Sequence, residues 1–122
     1  MPRVLVLTSY DHVFSYGIAR MLRNERSIEL VRRNVNNELL LQKMIRELSP
    51  IAIIVDHGLF LEHATFFCKS MRLLPGLRIL VLSERENVIH VLEEKTVPIR
   101  TGDDLIKQIV SDTTRGVDLI NP

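Results

Sequence analysis

The sequence predicts a doubly wound α/β domain, a parallel five-stranded sheet with helices on both faces. Two observations carry that expectation. Short continuous Val/Ile/Leu runs alternate with stretches of helical periodicity, and the strand-then-helix unit repeats five times. A third sets the scale: 122 residues, 46% apolar and 25% charged, build one ordinary hydrophobic core.

The first strand is Val4–Leu7, a continuous apolar run suited to burial on both faces. Val13, Gly17, Ile18, Met21 and Leu22 then fall on one helical stripe, with Arg20 and Arg23 opposite. Ile28–Val35 alternates only in part and reads as an edge strand with one wet face. Leu40, Leu41, Met44, Ile45 and Leu48 mark the second helix, stopped by Ser49-Pro50. Ile51–Val55 is the third strand, again buried on both faces. Ala64, Phe67, Cys68 and Met71 mark the third helix, ended by the Pro75-Gly76 turn, with Cys68 expected in the core. Ile79–Leu82 is the fourth strand. Val88, Val91 and Leu92 suggest a short fourth helix, and Thr96–Arg100 a fifth strand at an edge, because Pro98 has no N–H for a ladder. Leu105, Ile106, Ile109 and Val110 form the fifth helix, capped by Thr101 or Asp103.

Bulk properties exclude several classes. A formal charge of +1 gives no electrostatic case for nucleic acid, and Arg20, Arg23, Arg26, Arg32 and Arg33 read as a solvated face. Cys68 stands alone, so no disulfide framework exists within the chain, which fits a reducing compartment. No apolar run reaches ~18 residues and no export signal opens the sequence, so the expected location is the cytoplasm, away from membranes. Residues 1–113 read as the domain and 114–122 as a tail or the start of a linker.

In an open parallel sheet, ligands sit outside the carboxyl ends of the strands. Here those ends carry Thr8, Ser9, Tyr10 and Asp11 after the first strand, Asp56 and His57 after the third, Ser83 after the fourth and Arg100 after the fifth. With "FSYGIARML" at Phe14–Leu22 and "PGLRILVLSE" at Pro75–Glu84, the chain from about Val4 to Val110 resembles a receiver domain of bacterial response regulators, of the kind that precedes a LuxR-type output module. The resemblance implies a flavodoxin-like sheet of order 2-1-3-4-5. It also implies phosphoryl transfer from a histidine kinase to an aspartate, assisted by Mg²⁺, a hydroxyl and a lysine, because the transferring group spreads charge that cations must meet.

Carried over residue by residue, Asp56 takes the phospho-acceptor position and Ser83 the switch hydroxyl. Ser9 and Tyr10 replace the acidic pair, and Asp11 falls one residue late, leaving Asp11 and Asp56 as a weak Mg²⁺ site. Arg100 replaces the lysine, and its planar fork is a poor substitute for a compact ammonium. The spacing from Ser83 to Arg100 is about one helical turn (~3.6 residues) short, which shrinks the fourth helix. The expectation is an atypical receiver, not itself an enzyme. It would signal through protein contacts with a kinase or output module, or through a homodimer on the face of the fourth helix, fifth strand and fifth helix. The alternatives are a conventional receiver phosphorylated on Asp56 and a small-molecule or metal sensor at the same rim, with His12 and His57 as metal candidates and Thr8-Ser9 as a hydroxyl-bearing phosphate loop.

Overall fold

The computed structural model describes residues 1–8, 13–34, 37–83, 86 and 88–110. The chain runs β1 (Arg3–Thr8), α1 (Val13–Leu22), β2 (Glu29–Asn34), α2 (Glu38–Leu48), β3 (Ala52–Asp56), α3 (His57–Glu62), α4 (Ala64–Leu73), β4 (Arg78–Ser83) and β5 (Val88–Glu93). A last helix, α5, covers residues 102–110. The five strands form one sheet of order β2-β1-β3-β4-β5, as expected.

The apolar runs became the sheet centre because both of their faces are covered. Leu5, Leu7, Ile53, Val55, Ile79 and Val81 point to one side, where Leu41 and Ile45 of α2, Leu59 of α3 and Phe67 of α4 pack on them. Val4, Val6, Ala52 and Ile54 point to the other side and meet Ile18 and Leu22 of α1. Helices therefore lie on both faces. Phe67 is fully buried, stacked on Phe60 and edge-on to Phe66, both at 5.7 Å between ring centroids.

The ends of α2 follow local rules. Asn37 Oδ1 accepts the Leu40 N–H at 2.9 Å, an N-cap. Ser49 adopts the left-handed conformation (φ 45°, ψ 57°) and donates its N–H to the Ile45 carbonyl at 2.9 Å. In α4 the buried Ser70 hydroxyl donates to the Phe66 carbonyl at 3.0 Å, so its burial leaves no polar atom unpaired.

Four expectations are corrected. The first concerns Val88–Leu92, which is strand and not helix: β5 pairs antiparallel with β4, Ser83 opposite Val88 and Arg78 opposite Glu93. Only four residues separate Ser83 from Val88, enough for a hairpin and far too few for a crossover to a parallel strand. The run Val88-Ile89-His90-Val91-Leu92 is also rich in β-branched residues, which favours a strand. Second, residues 96–100 carry no strand, so Arg100 ends none, and Pro98 supplies the reason. The dimer face expected from a fourth helix and a fifth strand in that stretch is therefore not assembled. Third, the segment after Asp56 is helical from its first residue, giving α3 ahead of α4. Fourth, Cys68 is exposed, because α4 turns Phe67 and Ser70 inward and Cys68 flanks that stripe. At α5, Thr101 holds the N-cap position and Asp104 reaches back from the first turn: its Oδ2 accepts the N–H groups of Arg100 (3.0 Å) and Thr101 (3.3 Å), the reach-back half of a capping box. The tail at 114–122 lies outside the described residues.

Candidate functional site

The carboxyl ends of the four parallel strands define one rim. Register places Thr8 beside Asn34, Leu7 beside Val55 and Asp56 beside Leu82, so Thr8, Asp56 and Ser83 end adjacent strands. These are three of the residues that sequence reasoning assigned to the site, and the sheet brings them together. Ser9, Tyr10, Asp11 and His12 lie outside the described residues.

Asp56 is half-buried, and its Oδ1 accepts the backbone N–H of Leu59 at 2.8 Å. It is the N-cap of α3, satisfying one of the amide donors that a helix start leaves without an intrahelical partner. His57 opens the helix and is exposed. A β-carbon on Gly58 would stand 3.4 Å from Asp56 Oδ1, an ordinary van der Waals contact.

The cation expected opposite Asp56 does not arrive by a strand. Because β5 is antiparallel, its first residue Val88 lies at this rim, and its last, Glu93, lies at the opposite end. There Glu93 Oε2 accepts from Arg78 Nε at 3.1 Å, an exposed pair worth about 0–1 kcal/mol. Arg100 follows seven residues later, its peptide N–H spent on the cap of α5. Among the described residues no three or more His, Cys, Asp or Glu side chains gather as a metal site, and Asp56 is the only acid that ends a parallel strand.

A second concavity escaped sequence reasoning. Between α2 and α4 runs a cleft of about 630 Å3, its walls including Ile45, Arg46, Phe66, Lys69 and Leu73. At its rim end His63 Nδ1 lies 2.6 Å from Glu38 Oε2, clasping the start of α2 to the junction of α3 and α4. A carboxylate only accepts, so the proton sits on Nδ1. Glu38 and His63 are 25 residues apart, and no local pattern announces the pair.

No family model, curated protein or solved structure matches this chain. No helix among the described residues is long and apolar enough to cross a membrane.

Proposed function

We propose that this chain is a receiver-like signalling domain that works through protein contacts and without an aspartyl phosphate. The observation that carries the reading is the engagement of Asp56 Oδ1 by the Leu59 N–H. A phospho-acceptor needs a carboxylate aimed at the incoming phosphoryl group and neighbouring cations to meet the charge of that group. Here the carboxylate secures a helix start, and among the described residues no parallel strand ends in a cation. Surface supports the contact role: exposed Leu61 and Leu73 both line the cleft between α2 and α4, and exposed Ile89 and Val91 share one face of β5. The partner would be a kinase or an output module, met on these surfaces.

One observation favours the conventional alternative. Thr8, Asp56 and Ser83 end neighbouring strands, the placement a phosphoryl group would use. An amide NMR titration with Mg²⁺ followed by beryllofluoride, a mimic of the aspartyl phosphate, separates the two. The proposal expects the amides of Asp56, Leu59 and Ser83 to stay unmoved. Saturable shifts there that spread along β4 and β5 would replace it with phosphorylation on Asp56.

A further inference from the structure

The sheet face that carries α1 is covered over only part of its width. Ile18 and Leu22 shield Val4, Val6, Ala52 and Ile54, whereas Leu80 and Leu82 of β4 remain half-buried. Beyond them, Ile89 (57% exposed) and Val91 (56%) of β5 continue the same face, since Leu82 pairs with Ile89 and Leu80 with Val91. Four large aliphatic side chains thus form an open apolar patch on a two-strand width.

A matching surface exists on the same chain. Leu105 (48% exposed), Ile106 (55%) and Val110 (53%) lie within one stripe of α5, at the spacing of a helix that buries one side. In a doubly wound fold a last helix covers such strands, yet Leu105, Ile106 and Val110 keep about half of their surface in water. The connection explains why. Residues 94–100 leave β5 with no turn or bend, and Pro98 holds itself and Val97 in extended geometry. Seven such residues span about 23 Å, starting from Glu93 at the end of the sheet opposite the rim. An arm of that length, leaving from the far end of the sheet, is long enough to reach a neighbouring copy.

We infer that α5 docks on the β4–β5 face of a second copy of this chain, in a reciprocal arm exchange about a two-fold axis. Area supports a second copy over a one-sided contact. Full burial of an aliphatic side chain removes roughly 60–120 Å2, so five half-exposed ones and two mostly covered ones (Leu80 and Leu82) per copy contribute about 570 Å2 of apolar surface to a symmetric pair. With the polar rim of an ordinary interface this becomes about 950 Å2, the size of a weak, concentration-dependent pair just below the ~1,200 Å2 at which stable interfaces begin. A single contact would bury half of that and fall well short. The inference stands apart from the receiver reading, and a silent or a responsive Asp56 leaves it untouched.

The test uses the full chain. Light scattering after size exclusion should give a dimer across a concentration series, and Ile106→Asp or Ile89→Asp should give a folded monomer, since both positions are exposed. Cross-linking identifies the occupant. In a Cys68→Ser background, Ile89→Cys and Ile106→Cys chains are prepared separately, mixed and treated with a short bis-maleimide. A cross-linked pair that needs both variants is the expected product. A monomeric parent chain overturns the proposal. So does an Ile89→Cys/Ile106→Cys double variant that links only within one chain, which would put α5 on its own sheet.

Discussion

Replacing Asp56 by alanine and by asparagine separates a structural carboxylate from a reactive one. Alanine removes the acceptor of the Leu59 N–H, and loss of an N-cap costs about 0.5–2 kcal/mol. The upper half of that range applies, because the bond is charge-assisted and half-buried, and because α3 has only six residues and no stability of its own. Asparagine keeps an oxygen in the same place and is an equally good cap; it gives up only the attraction of the negative charge to the helix start, about 0.3–1 kcal/mol. The expectation is therefore a loss of about 1–2 kcal/mol for Asp56→Ala and less than about half of that for Asp56→Asn. For a chain of this length 1 kcal/mol moves Tm by roughly 3–6 °C, which circular dichroism resolves. Hydrogen exchange at Leu59 gives the local readout: fast in Asp56→Ala, slow in Asp56→Asn. Equal destabilisation by the two variants, or a Leu59 amide that exchanges freely in the parent chain, would refute the capping argument.

Three further outcomes are expected. Phe67→Ala empties the fully buried centre of the aromatic cluster and should cost about 3–5 kcal/mol, read as a shift of the urea midpoint. Ser49→Gly should stabilise by about 0.5–1 kcal/mol, the relief of left-handed strain less the added freedom of the unfolded chain; the Ser49 hydroxyl bond it sacrifices, to the Arg46 carbonyl, is long at 3.4 Å. Glu25 should titrate below the usual glutamate range, because the Ser27 hydroxyl and then the Ser27 N–H donate to its carboxylate. A depressed folded value means that this contribution is present above the unfolded value and lost as pH falls through the folded one. The group is solvated, so the effect is read by carboxyl NMR, with Ser27→Ala moving the midpoint upward.

Legibility followed burial. Val4–Leu7, Ile51–Val55 and Ile79–Leu82 announce central strands because a run apolar at every position has to be covered on both sides, and each lies within one residue of the observed strand core. Val88–Leu92 is ambiguous by the same logic. Positions 88, 91 and 92 fit a helical stripe, while 89 and 91 fit a strand face, and the choice is made by the four-residue connection to β4 rather than by the residues themselves. The capping role of Asp56 was readable, since an aspartate three residues ahead of the apolar pair Leu59-Phe60 is a helix-start signal. It was hidden by Gly58, which suggests a loop. The Glu38–His63 clasp joins two helix starts that only the tertiary fold brings together.

The reversal of β5 links these findings. Had residues 96–100 formed a last parallel strand, its carboxyl end would have carried Arg100 to the rim, and a crossover helix and α5 would have closed the sheet behind it. Antiparallel pairing sends Glu93 to the far end, where it meets Arg78, and leaves Val88 at the rim. The same reversal shortens the β4–β5 connection to a hairpin, so no crossover helix covers β5, and Ile89 and Val91 stay in contact with water. Exposed aliphatic surface of that kind is costly in a monomer, by about 25 cal/mol per Å2. One change of strand direction thus leaves Arg100 off the strand ends and apolar positions of β5 exposed. That is the physical reason to look for the work of this domain in its contacts.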